Sequence, residues 1–183
     1  MSEWETRALD DLFDISSGKG LKKEFIDDNG RYPVLGANGE IGRTDQYLID
    51  DNVIFTGRVG TLGKIFYSSG RVWLSDNTLI LRAKGNVNLK FLFYELHSIN
   101  LKDFNVGSTQ PLIRQSDVKR IELGIPPLPE QKAIAEVLSS LDDKIDLLHR
   151  QNETLEALAE TLFREWFINQ ADAGWEEKRL KDI

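Results

Sequence analysis

The stretch GRVGTLGK, residues 57–64, could do chemistry, because a glycine-rich run ending in lysine can cradle phosphate. The spacing is wrong for that role. A phosphate loop ending at Gly63-Lys64 needs glycine at position 58 and Ser or Thr at 65, and the chain has Arg58 and Ile65. The run sits between strand-like segments and reads as a glycine-rich turn. His97 and His149 are the only histidines, there is no cysteine, and neither histidine stands in a metal-ligand spacing. One is expected on a surface helix and the other beside a helical seam. The adjacent acids Asp27-Asp28, Asp50-Asp51 and Asp142-Asp143 are accounted for by turns and a solvated helix face. The chain has no Asn-Pro-Pro-Tyr or Asp-Pro-Pro-Tyr box of the kind amino-methyltransferases use. No catalytic constellation, metal site or cofactor of its own is expected.

The polar chemistry that remains is recognition. Arg or Lys pairs two-pronged with guanine, Asn or Gln with adenine, and hydroxyls or backbone amides with phosphate. Side chains of these types stand beside glycines or in loops at Lys19, Lys22, Lys23, Asn38, Arg43, Arg58, Thr61, Lys64, Asn77, Thr109, Gln110 and Arg114. Arg58 and Lys64, flanking one turn, are the foremost candidates; Gln110 and Arg114 have structural roles as an alternative. A net charge of −7 argues against nucleic acid until its distribution is read. Residues 1–129 carry 16 Lys and Arg against 17 Asp and Glu, whereas residues 130–183 carry 7 against 13. Within the nearly neutral part, residues 52–90 hold Arg58, Lys64, Arg71, Arg82, Lys84 and Lys90 against the single acid Asp76. Such a window is compatible with a phosphate-facing surface, although a charge run is also what a solvated face looks like.

The elements that must position these groups divide at a proline cluster, IPPLPEQ, residues 125–131. Before it, YLIDDNVIFTG, KIFYSS, VWLSD and NTLILRA read as strands with turns at Ser69-Gly70 and Asp76-Asn77. NLKFLFYELHSI (88–99) has a helical apolar face, and SDVKRIELGI (116–125) reads as a short helix running into a strand. Glycine-rich loops at Gly18 to Gly20, Gly36 to Gly42 and Gly57 to Gly63 separate the elements. The expectation is an α+β domain with a curved, mainly antiparallel sheet and a few helices, followed by one long coiled-coil helix. Its boundaries are expected at 1–128 for the domain, 129–168 for the helix and 169–183 for a linker and the start of a truncated second repeat.

Beyond the prolines no Gly or Pro occurs until Gly174, and Pro129 suits a first helical turn. Ile134, Leu138, Leu141, Ile145, Leu148, Asn152, Leu155, Ala159, Leu162 and Trp166 step by alternating fours and threes, a heptad seam. From Ile134 to Trp166 the rise is roughly 48 Å. A seam of that length is expected to pair with another helix. Asn152 at a core position fixes register, and coiled-coil rules alone lean towards a parallel pair. Val137, Leu147, Leu158, Phe163 and Phe167 widen the apolar surface and could dock on the chain's own domain or on a partner. The tail WEEKRLKDI (175–183) repeats the head WETRALDDL (4–12) at an offset of 171, with Trp175 matching Trp4 and Leu180 matching Leu9. That placement suggests a tandem-repeat protein at the start of its second unit, whose long helices would return antiparallel. No apolar run approaches a membrane span and the N-terminus lacks a secretory h-region, so no membrane partner and a cytoplasmic location are expected.

These features meet in one resemblance. GSTQPLIRQSDVKRIELGIPPLPEQKAIAEVLSSLDDKI (107–146) resembles the junction of type I restriction–modification specificity subunits, where a recognition domain ends in a PPL-x-EQ turn entering a spacer helix. ANGEIGRTDQYL (37–48) and TGRVGTLGKIFYSSGRVWLSDNTLIL (56–81) look like the glycine-rich frame of the same domains, and LAETLFREWF (158–167) resembles the end of the spacer helix. The departure is length, since the family has two recognition domains and two spacer helices. The resemblance implies a non-catalytic target-recognition domain reading one half of a bipartite double-stranded DNA site. It also implies methyltransferase subunits docked on the helices. S-adenosylmethionine would be in that partner, and ATP and Mg in a restriction subunit joined indirectly. Phe163, Trp166 and Phe167 are the expected methyltransferase anchors. The second half-site would come from a homodimer or a second specificity repeat. The competing reading is a coiled-coil assembly module whose globular head binds protein.

Overall fold

The computed structural model describes residues 4–60, 62–107 and 109–170. The chain divides into two compact units, Met1–Leu138 and Ser139–Ile183. The first unit opens with strand β1 (Glu5–Ala8), one helical turn α1 (Leu9–Leu12) and strand β2 (Phe13–Ser17). Then come β3 (Tyr32–Gly36), β4 (Gly39–Thr44), β5 (Ile49–Asp50), β6 (Val53–Gly57), β7 (Ile65–Ser68), β8 (Arg71–Leu74) and β9 (Thr78–Ala83). Helix α2 (Leu89–His97), the short α3 (Gln115–Val118) and β10 (Glu122–Ile125) lead into helix α4 (Leu128–Arg164), which continues as a π-helical turn, Glu165–Asn169.

The strands make a two-stranded ribbon β1-β10 and two four-stranded sheets, ordered β2-β9-β6-β7 and β4-β3-β8-β5. All pairings are antiparallel except β3 with β8, which meet only at Val34↔Trp73 and Leu35↔Leu74. The mainly antiparallel α+β domain with a long C-terminal helix is therefore present, its strands shared between two sheets. The first sheet is the middle layer. Alternation along β6 and β9 sends Ile54, Leu79 and Leu81 into one cluster with Phe91, Leu92 and Leu96 of α2. It sends Val53, Phe55 and Ile80 into a second cluster with Ile49, Val72 and Leu74 of the other sheet. Each such side chain stabilises the fold by about 1.5–3 kcal/mol on burial.

One expectation needs correction. The stretch Gly36 to Gly42, read as a loop, holds the hairpin into β4, with Gly36 opposite Gly39 and a bulge between Val34 and Leu35. GEIGRT is short, polar and glycine-bearing, so it carries no apolar alternation for a sequence reading to find.

The first turn of α4 is tied to the domain by a buried polar side chain. Gln131 is 3% exposed; its Oε1 accepts the Asn88 N–H at 2.8 Å and its Nε2 donates to the Pro126 carbonyl at 2.8 Å. Asn88 is the N-cap of α2, its Oδ1 accepting the Phe91 N–H at 2.9 Å. Trp4 adds an indole N–H to Glu130 at 3.2 Å and an edge-on contact with Phe91. Ala135 is buried, and Ile134 packs on the larger core cluster. Gln131→Ala strands the Asn88 N–H and the Pro126 carbonyl in the interior and is expected to cost about 2–3 kcal/mol. The check is a urea titration, where the midpoint falls with the slope unchanged; an unmoved midpoint would mean the bridge is dispensable.

Candidate nucleic-acid interface

Antiparallel register gathers loops at one end of the two sheets. Ser17 lies opposite Leu79, Gly57 opposite Thr78 and Thr56 opposite Ile65, so β2 and β6 finish where β7 and β9 begin. The second sheet reaches the same end, since the Ser75 N–H bonds the Leu35 carbonyl at 2.9 Å just past β8. Residues 105–107 and 109–114 join there. Val59 bridges Leu112, the Gly60 N–H bonds the Pro111 carbonyl at 3.0 Å, and the Ile113 N–H bonds the Arg58 carbonyl at 2.9 Å.

Main-chain bonds fix these loops to one another. The Gly18 N–H donates to Thr78 at 3.1 Å, the Lys19 N–H to Leu74 at 2.9 Å and the Arg58 N–H to Asn77 at 2.9 Å. At Gly18 an added Cβ would lie 2.1 Å from the Ser75 carbonyl oxygen, so only glycine permits this approach. The indole N–H of Trp73 holds the Lys19 carbonyl at 2.8 Å. Asn105 shapes the 105–112 loop, its Oδ1 accepting the Gly107 N–H at 3.0 Å and the Leu112 N–H at 2.9 Å. The Gln115 amide ties the start of α3 to the Ile15 carbonyl of β2.

This end brings together Lys19, Asn38, Arg58, Lys64, Asn77, Thr109, Gln110 and Arg114 of the expected contact residues; Thr61 lies outside the described residues. Arg58 is half-buried, its Nη1 donating to the Ser17 hydroxyl at 2.9 Å while its buried Nε has no acceptor among the described residues. The Lys64 ammonium donates to Asn38 Oδ1, and the Lys64 carbonyl accepts the Thr56 hydroxyl at 2.8 Å. Sequence reading missed two members. Ser17 orients Arg58, and the Lys102 stem lies against Gly63, whose added Cβ would sit 3.0 Å from Lys102 Cγ. Neither has a local signal, since both are placed here by long-range pairing.

The remaining expected contacts are Lys22, Lys23 and Arg43. Lys22 pairs with Glu24 at 3.4 Å on the surface, and Lys23 begins the 3₁₀ turn Lys23–Phe25. Arg43 is bound into the β3–β4 hairpin, donating to the Gly30 carbonyl at 2.8 Å, the Arg31 carbonyl at 3.0 Å and Glu40 at 3.2 Å. The basic window also does not form one face. Arg71, at the far end of the second sheet, lies 4.8 Å from the Tyr47 ring and bonds Asp50 at 3.0 Å and the Tyr32 hydroxyl at 3.1 Å. Tyr32 first, then Asp50, raise the Arg71 pKa above its already high value. The Lys84 ammonium is given to the Asp10 carbonyl at 2.8 Å. Among the described residues no group of three or more His, Asp or Glu side chains could hold a metal. His97 lies on α2 with Nδ1 2.8 Å from the Phe93 carbonyl, and His149 is exposed on α4.

In the second unit the helix exposes its apolar residues. Leu141, Ile145, Leu148, Leu155 and Leu162 are 39–61% exposed, Asn152 and Ala159 are exposed with them, and Phe163 lies tilted against Phe167 with ring centroids 5.1 Å apart. Trp166 falls within the π turn, where Asn169 and then Gln170 bond the Glu165 carboxylate and hold its pKa below the usual range. No helix among the described residues is long and apolar enough to cross a membrane. The tail resembling residues 4–12 lies outside the described residues.

A family model, the type I restriction modification DNA specificity domain, matches residues 1–157. A putative type I specificity subunit of Mycoplasma pneumoniae is 30% identical over 194 residues, covering 97% of this chain and 51% of that protein. A type I restriction enzyme specificity subunit of Methanocaldococcus jannaschii is 37% identical over 121 residues, covering 55% of this chain and 28% of its own length. Among solved structures, the type I restriction-modification S subunit from M. genitalium superposes with a TM-score of 0.82 at 28% identity, over 91% of this chain and 46% of that one. The HsdS subunit from Thermoanaerobacter tengcongensis, at 17% identity and a TM-score of 0.62, shares the fold over 93% of this chain and 45% of its own. The chain thus spans about half the length of the first curated relative and of these solved subunits. With the family pattern running through the domain and most of the long helix, the chain belongs to the type I restriction–modification DNA specificity family.

Proposed function

We propose that the chain is a non-catalytic reader of double-stranded DNA, recognising one half of a bipartite target for a type I restriction–modification complex in the cytoplasm. The observation that carries this reading is the gathering of Lys19, Asn38, Arg58, Lys64, Asn77 and Gln110 at one end of two sheets whose loops are fixed by main-chain bonds. Fixed loops bearing base-reading side chains are what direct readout needs. In this reading residues 1–128 are the recognition domain, 129–168 the spacer helix and 169–183 the start of a further repeat.

The exposed seam of α4 pairs with a second long helix, from a second copy of this chain or a second specificity repeat. An antiparallel two-fold pair accords with the likeness of residues 175–183 to residues 4–12, and two reading domains then address a split, inverted site. Phe163, Trp166 and Phe167, 50–58% exposed, form an aromatic patch suited to anchoring a methyltransferase subunit. S-adenosylmethionine then belongs to that subunit, and ATP and Mg to a restriction subunit attached through it.

Three outcomes test the reading. Arg58→Ala or Lys64→Ala, assayed by fluorescence anisotropy with the methyltransferase subunit and duplex DNA, weakens binding about tenfold. Arg43→Ala leaves the affinity in place but lowers stability by about 1 kcal/mol. Equal affinity losses for all three would remove the loop end as the interface. In sedimentation the wild-type chain is a dimer, and Ile145→Asp with Leu148→Asp is a monomer; a wild-type monomer that binds DNA alone contradicts the pairing. Phe163→Ala with Phe167→Ala keeps the dimer and loses co-purification of the methyltransferase, and retention of that partner at wild-type levels would place its dock elsewhere.

A further inference from the structure

The loop end carries information about which base edge it can accept. Lys64, just before β7 of one sheet, and Asn38, between β3 and β4 of the other, meet side chain to side chain. An ammonium only donates, so the Asn38 atom it meets is the carbonyl oxygen, and this settles which way the amide points. Reading adenine needs the Asn oxygen to accept from N6 while its nitrogen donates to N7. With Lys64 on the oxygen, that approach would bring the adenine amino group against an ammonium. The Lys64–Asn38 pair therefore presents donors.

Arg58 is a donor-only group as well. Its Nη1 is held by the Ser17 hydroxyl at 2.9 Å and its Nε is buried, so the guanidinium is fixed in place. A phosphate can be held by a mobile cation, whereas a base edge demands a fixed donor plane. Asp76 supplies a second, independent pointer. It is the one acid between residues 52 and 90 and lies exposed on the turn beside Asn77, whose carbonyl holds the Arg58 N–H at 2.9 Å. A carboxylate there repels phosphate and matches the N4 amino group of cytosine.

We propose that the fixed donors of Arg58 and the Lys64–Asn38 pair read guanine through its N7 and O6 acceptors, with Asp76 facing the paired cytosine, so that each half-site contains a G·C pair at this position. The assignment rests on the loop end being the DNA interface, and it adds which base is read there. The shared chemistry is a two-acceptor edge, which a backbone phosphate also offers, and the test separates the two.

The full chain with its methyltransferase subunit is used to select bound duplexes from a randomised pool. The selected guanine is then replaced by 7-deazaguanine, which keeps base pairing and removes the N7 acceptor. The expected result is a guanine at one fixed position of each half-site and a loss of about tenfold or more in affinity on 7-deaza replacement. Arg58→Ala relaxes the choice at that position, as does Asn38→Asp, a second variant for the case in which the first lowers stability. Half-sites without guanine, or full affinity for the 7-deaza duplex, overturn the guanine assignment. An Arg58→Ala loss that is the same for all sequences, with the salt slope reduced by about one, assigns these donors to phosphate and overturns it too. If the wild-type complex selects no sequence at all, the DNA-reading function itself falls.

Discussion

The constraint on which the domain depends is that its middle sheet is covered on both faces. Every residue of β6 from Val53 to Gly57 is buried, and Leu79, Ile80 and Leu81 of β9 are no more than 2% exposed. α2 takes one face and the β4-β3-β8-β5 sheet the other. A sheet so enclosed has no free face on which to build a binding surface. At one end the strands are closed by α1, with its buried Leu9 and Leu12, and by the Arg71–Tyr32–Tyr47 cluster. The other end is made of turns held by main-chain bonds, and that is where Lys19, Asn38, Arg58, Lys64 and Asn77 collect.

Much of this was legible in the sequence because burial leaves a period. NTLILRA, NVIFTG and KIFYSS are apolar enough to read as strands, NLKFLFYELHSI repeats as a helix, and the heptad of α4 persists long enough to stand out. The earlier strands left weaker marks. β3 contains Pro33, tolerated because its pairing with β8 begins only at Val34, and β4 is glycine-bearing and polar. Charge was the poorer guide. The basic run from Arg58 to Lys90 reads as one patch along the chain, yet successive strands run in opposite directions and deliver Arg58 and Lys64 to one end and Arg71 to the other. Arg43 shows the same limit at one residue, since an arginine among glycines looks like a loop contact until its hairpin carbonyls are in place.

The apolar stripe of α4 serves two environments. In the first unit Gln131 and Ala135 are buried and Ile134 packs on the core, so the first turns of the helix are part of the domain. From Leu141 onward the same periodicity continues with its side chains exposed. A helix that needed only its own domain would lose the apolar seam where the contact ends. Persistence of the heptad through Leu162 is what the proposed pairing with a second helix rests on. Gln131 has a distinct part in this, because a buried amide with two main-chain partners ties the first turn of the helix to the domain.

The manner in which the loop end is held also bears on which of its side chains can change. Gly18 to Thr78, Lys19 to Leu74, Arg58 to Asn77, Ser75 to Leu35 and Ile113 to Arg58 are all bonds between main-chain atoms, and they survive replacement of any tip side chain. The side chains that are fixed by others, Arg58 by Ser17 and Asn38 by Lys64, need only one partner each. A change at such a pair alters the pattern of donors and acceptors while the frame beneath it keeps its bonds. Positions such as Gly18, where a methyl group would strike the Ser75 carbonyl, have no such freedom. In the proposed reading, frame and reader are thus separated residue by residue within the same loops, so a new base preference requires little change in the stability of the fold.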